Sequence, residues 1–184
     1  RGTSFSAIVD LLEKRELVTS KTFFLLLAHA KRATNNIKAG EYELNSSMSP
    51  GRIIDILKEG RVKRYSVSIP EGFTVSQIAS RLAAKKIVDK ERFVALAHDQ
   101  GFLASLKIDG VSAEGYLFPD TNVFSRFMGE RKVIEFMVDH FWRIITPDME
   151  ERAKKRGFTL NEIVILASIV EKEGGIKDEK PLIA

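Results

Sequence analysis

Glu171 is the residue of this sequence whose position best suits acid catalysis. It lies in the last turn of a predicted helix that begins with a capping box, because Thr159 is followed three residues later by Glu162. Gly174-Gly175 is a natural stop for the same helix. The residues between the cap and the stop are almost entirely apolar, so we expect most of this helix to be buried.

Burial would give Glu171 the chemistry of a general acid. Ile163 and Ala167 precede it by eight and four residues, so the three side chains lie along one side of the helix. Apolar neighbours disfavour the charged form of a carboxylic acid, which keeps its proton available for transfer. The alternative is that Glu171, Lys172 and Glu173 form a solvated helix end. The residue types alone leave both interpretations open.

The composition is that of an ordinary globular protein, with 44% hydrophobic and 29% charged residues in a chain of 184. This length is enough for one large or two small domains. A net charge of +4 and a pI near 9.3 permit an anionic partner. No long block of like charge is present, so we expect no nucleic-acid partner. The apolar run 23–28 is too short to span a bilayer.

Metal and cofactor chemistry find little support in the sequence. None of His29, His98 and His140 has a second metal-binding side chain three or four residues away. The lack of cysteine excludes disulfides and thiolate chemistry. The sequence also contains neither a glycine-rich phosphate loop nor a nucleophile elbow. We therefore expect no metal and no cofactor.

Two stretches of the chain echo each other at a constant offset of 70 residues. Each is predicted to form a helix, a short basic and aliphatic connection and a second helix, over 4–15 with 20–33 and over 74–85 with 89–100. The matched positions are Gly2 and Gly72, Ser6 and Ser76, Val18 and Val88, and Phe23 and Phe93. Amphipathic helices can resemble each other by chance, but the constant offset favours a duplication.

A different unit lies between the two helix pairs. Residues 38–44 are predicted as a strand, residues 50–59 as a helix with proline at its start, and residues 64–69 as a second strand. A strand, a helix and a strand in this order make a small α/β module. Further along the chain, helices are predicted over 128–145 and 147–155.

Three blocks of sequence together carry a resemblance to a known family. They are Pro70-Glu-Gly-Phe-Thr74, Glu114-Gly-Tyr-Leu-Phe-Pro-Asp-Thr121 and Leu166-Ala-Ser-Ile-Val-Glu-Lys-Glu173. In order and separation they resemble the MltG (YceG-like) family of endolytic murein transglycosylases. The resemblance implies a bacterial enzyme held in the inner membrane by one N-terminal helix, with a LysM-like module and a catalytic domain on the outer, periplasmic side. The catalytic glutamate of the family matches Glu171.

The resemblance also implies a substrate and a binding wall. A lytic transglycosylase cleaves the MurNAc-GlcNAc bond of peptidoglycan and needs only one protein carboxyl group, because the C6 hydroxyl of the sugar is the nucleophile. In the block from Glu114 to Thr121, Tyr116 or Phe118 could stack on a sugar ring while Glu114 or Asp120 accepts hydroxyl protons. The alternative is a structural turn around the proline of that block.

The combined expectation is an α+β protein with four parts. These are an N-terminal helix pair (1–37), a LysM-like strand-helix-strand module (38–72), a second helix pair (73–112) and the mainly helical first part of a catalytic domain (113–184). Members of the family continue with Asn-Arg-Leu and Asp-Pro-Thr segments that this sequence lacks. We therefore expect an incomplete catalytic domain and little activity of the chain alone. We also expect the last dozen residues to lack their normal packing partners.

Two other functions are alternatives to this one. The first is a non-catalytic module that binds peptidoglycan and docks cell-wall synthases, which are expected partners in either case. The second is an aminodeoxychorismate lyase, which would need pyridoxal phosphate, a Schiff-base lysine and a phosphate cup. No lysine of this sequence stands out beside such a cup, so we reject the lyase.

Overall fold

A computed structural model describes residues 4–173, and the chain divides into two compact units, 1–64 and 65–184. The first unit contains α1 (Phe5–Lys14), α2 (Lys21–Ala30) and α3 (Pro50–Glu59). The elements of the second unit are β1 (Tyr65–Ser68), α4 (Val75–Ala84), α5 (Lys90–Leu96), α6 (Gln100–Ser105), β2 (Thr121–Phe124), α7 (Glu130–Ile144), α8 (Pro147–Lys155) and α9 (Leu160–Glu173). The predictions for Gly174-Gly175 and for the last dozen residues lie outside the described range.

The first unit is a three-helix cluster with an extended segment laid on it. Its buried apolar residues are Val9, Leu12, Val18, Phe24, Ala28, Ala33, Ile53, Ile54 and Leu57. The strand predicted for residues 38–44 is not formed. Two backbone hydrogen bonds hold this segment instead, from Lys38 N to Leu57 O at 3.3 Å and from Lys63 N to Glu41 O at 2.7 Å.

The second predicted strand is formed, but its partner differs from the expected one. β1 pairs antiparallel with β2, with Tyr65 opposite Phe124 and Ser68 opposite Thr121. No strand was predicted over β2, because a strand of only four residues with a buried asparagine, Asn122, gives a weak alternating pattern. The strand-helix-strand module is therefore not closed by its own two strands.

The second helix of the later pair ends earlier than predicted. The prediction was one helix over 89–100, whereas α5 ends at Leu96 and α6 begins at Gln100. Asp99 interrupts the helix because its carboxylate accepts a hydrogen bond from Phe102 N at 2.6 Å and caps α6.

The fold class is α+β, as predicted, with a helix-rich chain and a small antiparallel sheet. The boundary between the two compact units falls after Arg64, inside the stretch 38–72 that was expected to be one module. The finer division of the chain into four parts stays a prediction. The second unit has the larger buried core, and this core positions the candidate site.

Candidate active site

The three sequence blocks meet at one cleft in the second unit, with a volume of about 450 Å³. The loop before α4, the loop before β2 and one side of α9 form its walls. The loops contribute Ile69, Pro70, Glu71, Gly72, Phe73, Ala113, Glu114, Gly115, Leu117, Phe118 and Pro119, and α9 contributes Leu160, Ile163, Val164, Ala167, Ser168 and Glu171. Residues from α4, α7 and α8 complete the lining.

Glu171 lies where the sequence predicted, on the cleft side of α9 together with Ile163 and Ala167. Its side chain is half-buried. The loop before α4 approaches it closely, since a Cβ atom placed on Gly72 would be 3.7 Å from Glu171 Cγ. Gly72 has a φ of 73°, a conformation that disfavours any residue with a side chain. This turn brings the loop backbone against the carboxyl-bearing side chain.

α9 begins as predicted but is less buried than predicted. Thr159 and Glu162 form the reciprocal capping box, with Glu162 N donating to Thr159 Oγ1 at 3.2 Å and Thr159 N donating to Glu162 Oε2 at 2.7 Å. Val164 is buried, but Ile165 and Ile169 are 52% and 50% exposed. The helix is apolar on all sides, but in the described part of the chain only one of its sides is packed against other residues.

Glu114 lines the cleft and also ties its two loops together. Its Oε2 atom accepts a hydrogen bond from Val75 N, in the first turn of α4, at 3.0 Å. The next residue, Gly115, has a φ of 80°, and a Cβ atom there would lie 2.4 Å from Val164 Cγ1 on α9. A side chain at position 115 would collide with α9, so glycine is what allows this loop to lie against the helix.

Tyr116 belongs to the core and does not line the cleft. Its side chain is 2% exposed, and its ring centroid lies 4.9 Å from that of Phe141. The hydroxyl donates a hydrogen bond to Asn161 Oδ1 at 3.1 Å. Burial raises the pKa of the Tyr116 phenol, and the Asp109 carboxylate adds to the rise. The predicted stacking of this ring on a sugar is not supported.

The remaining predicted residues separate into one that lines the cleft and two that do not. Phe118 lines it, with its ring centroid 4.8 Å from that of His140. Asp120 points its Oδ2 atom at His140 Nδ1, 3.6 Å away, and Thr121 pairs its hydroxyl with Ser68 across the sheet. Asp120 and Thr121 therefore lie beside the wall that carries Phe118 rather than in the cleft.

Two polar residues of the lining, Glu71 and Ser168, were not among the site residues predicted from the sequence. Both belong to the quoted blocks, but neither has a spacing that singles it out. Ser168 donates its hydroxyl proton to Val164 O at 2.9 Å, within its own helix. No Lys, Arg or His is among the described residues that line the cleft. Within residues 4–173, no three His, Asp or Glu side chains are grouped to hold a metal ion.

The arrangement suits proton transfer to a bound molecule. The lining is mainly apolar, with three carboxyl groups and a hydroxyl as its polar groups, which is typical of a ligand site. A carboxyl group in the wall of a mainly apolar cleft can donate a proton to a leaving oxygen and take it back. None of the helices in the described part of the chain is long and apolar enough to cross a membrane.

Comparisons with known proteins agree on one family. The profile of the YceG-like family matches residues 1–184. The chain is 30% identical to a protein of Streptococcus pneumoniae serotype 2 (strain D39) named endolytic murein transglycosylase, over 100% of this chain and 38% of that protein. It is 27% identical to a Bacillus subtilis (strain 168) protein of the same name, over 100% of this chain and 55% of that protein.

A solved structure gives the same result. The crystal structure of a YceG-like protein from Listeria monocytogenes has a TM-score of 0.56 and 26% sequence identity to this chain. The match covers 97% of this chain and 64% of that one. The chain thus spans about two fifths to just over half of the two curated relatives.

Proposed function

Because the chain belongs to the YceG-like family, we propose that it is part of an endolytic murein transglycosylase with Glu171 as its acid. The proposed reaction cleaves MurNAc-GlcNAc bonds within nascent glycan strands and leaves 1,6-anhydroMurNAc ends. The observation that carries the proposal is the convergence of all three sequence blocks on one cleft with the Glu171 side chain in its wall.

One carboxyl group is enough for this reaction. Glu171 donates its proton to the glycosidic oxygen as the bond from C1 to that oxygen breaks, which releases the leaving sugar as an alcohol. The same carboxylate then accepts the proton of the C6 hydroxyl, whose oxygen forms the new bond to C1. The product is an anhydro ring, and no water is consumed. The apolar residues that line the same cleft, among them Val164, Leu117 and Phe118, support this route, because an apolar lining leaves water few partners beside the reacting bond.

The whole protein is proposed to work at the inner membrane, anchored by one N-terminal helix with this region on the periplasmic side. Peptidoglycan strands are the proposed substrate, and cell-wall synthases are proposed partners. We also propose that further segments of the whole protein pack on α9 and complete the cleft, so that the chain alone releases little anhydro product. The exposure of Ile165 and Ile169 supports this, since exposed apolar helix faces commonly mark interfaces.

The test uses the full-length protein with Glu171→Gln. Gln keeps the size of the side chain but cannot donate a carboxyl proton, so we expect no release of anhydro-muropeptides from sacculi, measured by mass spectrometry. Glu91→Gln is the matched control, because Glu91 is exposed on α5 and lies outside the cleft lining. Unchanged product yield from the Glu171→Gln protein, with its fold verified by circular dichroism, would sink the assignment.

A further inference from the structure

The cleft contains a further carboxylate, Glu71, to which no role has yet been assigned. Glu71 lines the cleft directly before Gly72, the residue whose backbone turn approaches Glu171. The turn is held on both sides, because Ile69 N donates to Asp120 O at 2.9 Å and Thr74 caps α4. The backbone of Glu71 is therefore held between the residue before β2 and the start of α4.

The three carboxylates of the cleft differ in what they bind. Glu171 is the proposed acid, and Glu114 accepts the backbone N–H of Val75. Glu71 is exposed, and within residues 4–173 no hydrogen bond or ion pair joins its carboxylate to another residue. Both carboxylate oxygens of Glu71 are thus available to accept hydrogen bonds from a bound molecule, whereas Glu114 Oε2 already accepts one from the backbone.

The charge of the lining narrows the class of molecule that fits. Three carboxyl groups and no cationic side chain belong to the described lining, so every ionisable side chain of that lining is acidic. A ligand with hydroxyl and amide N–H donors satisfies the carboxylate oxygens, whereas a ligand carboxylate meets like charge. Uncharged N-acetylated sugar units therefore fit the cleft, whereas sugar units with a free lactyl or peptide-stem carboxylate are repelled.

We propose that Glu71 contacts the substrate and determines its charge specificity. Its carboxylate accepts hydrogen bonds from hydroxyl or acetamido N–H groups of a sugar unit and repels units whose substituents carry a free carboxylate at that point of the cleft. The inference rests on the proposed function, since it assumes that glycan strands occupy the cleft.

The test is a binding experiment with full-length protein that carries Glu171→Gln to prevent turnover. Two probes of equal length are titrated by calorimetry: an uncharged chitin oligosaccharide and an oligosaccharide with muramic acid bearing its free lactyl carboxylate. We expect the uncharged probe to bind more tightly. Glu71→Ala should weaken it about tenfold, because a charge-assisted hydrogen bond is lost. Glu71→Gln removes the negative charge, so the ratio of the affinity for the uncharged probe to that for the charged probe should fall about tenfold.

Glu91→Gln is again the matched control, because it removes the same charge outside the cleft lining and should leave the ratio of affinities unchanged. The inference is overturned if Glu71→Gln and Glu71→Ala both leave the two affinities within about twofold of the parent. It falls together with the proposed function if the parent binds neither probe. Release of anhydro products by the Glu171→Gln protein contradicts only the assignment of Glu171 as the acid. The role of Glu71 is still judged from the two binding affinities.

Discussion

Two helix pairs in this molecule, α1 with α2 and α4 with α5, follow the same local plan. α1 and α4 begin at Phe5 and Val75, each after a hydroxyl cap, and both have ten residues. The turns that follow also match, since Glu16 and Lys86 have φ values of 56° and 58°. The constant offset predicted from the sequence is thus present in the backbone of the first helix and turn of each pair.

The second helices of the two pairs match with a shift of one residue. The N-caps Ser20 and Asp89 are 69 residues apart rather than 70. The buried phenylalanines are Phe24 and Phe93, whereas Phe23 is 55% exposed. The predicted match of Phe23 with Phe93 is therefore wrong by one position, because the connection in the second pair is shorter by one residue.

The pairs differ in what surrounds them. The first unit has twelve Lys and Arg against seven Asp and Glu, a net charge of +5, while the second unit has 17 against 18 and a net charge of −1. In the second pair, a carboxylate from a distant loop, Glu114, accepts a hydrogen bond from the first turn of the first helix. The same local plan therefore serves as a small core in one unit and as a wall of the cleft in the other.

The largest effect is expected from truncating the equivalent buried leucines, Leu12 and Leu82, to alanine. They are 6% and 0% exposed, so each change should cost about 2–5 kcal/mol of the stability of its own unit, with Leu82 the costlier. The single tryptophan, Trp142, belongs to the second unit, so its fluorescence in urea measures Leu82→Ala. Amide exchange in α1–α3 measures Leu12→Ala.

Leu11→Ala is the control for this comparison, because Leu11 lies on the same helix as Leu12 and is 53% exposed. It should change stability by less than about 0.5 kcal/mol. If Leu12→Ala were as mild as Leu11→Ala, the first pair would not form a core of its own and the likeness of the two pairs would be limited to their backbones.

A smaller effect is expected from Glu114, whose carboxylate binds the first turn of α4 in the second pair. Glu114→Ala removes the acceptor of Val75 N and should cost the second unit about 1 kcal/mol, since the carboxylate is exposed. Glu114→Gln keeps an acceptor oxygen and should cost less. Tryptophan fluorescence in urea gives both values, and an unchanged stability of the Glu114→Ala protein would show that the hydrogen bond to Val75 contributes nothing.

The smallest effect is expected from the pH dependence of the first unit. Lys31 Nζ lies 2.7 Å from both carboxylate oxygens of Asp55 and joins α2 to α3. The hydrogen bond from Lys31 lowers the pKa of Asp55 below its ordinary value of 3.8. A lowered pKa means that the stabilisation is present above pH 3.8 and is lost as the pH falls through the lower folded-state value.

Amide exchange of α2 and α3 measured at decreasing pH values, corrected for the intrinsic exchange rate, detects this loss. Asp55→Asn should remove the pH dependence in that range, because asparagine does not titrate. A steep acid-induced loss that persists in the Asp55→Asn protein would assign it to another carboxylate of the first unit.

Much of the local structure could be predicted from the sequence. Helices begin after the capping residues Ser4, Ser49, Thr74 and Thr159. Each cap is predictable because its hydroxyl accepts a hydrogen bond from the backbone N–H only three residues later, which is a local interaction. The side of α9 that carries Glu171 was also predicted, since the helical period fixes which residues share a face. The break at Asp99 was missed because the polar residues His98, Asp99 and Gln100 were assigned to the end of the preceding helix rather than to a new cap.

Only the tertiary structure decided which segments meet. β1 and β2 are separated by more than fifty residues in the sequence, and no local pattern specifies a strand partner that far away. The same holds for Tyr116 and Phe118, two aromatic residues of one loop, of which one is in the core and the other lines the cleft. The sequence by itself determined the helices and the residue types that could do chemistry. Packing across long sequence separations determined that Glu71, Glu114 and Glu171 share one cleft, because that depends on how loops and helices pack against a common core.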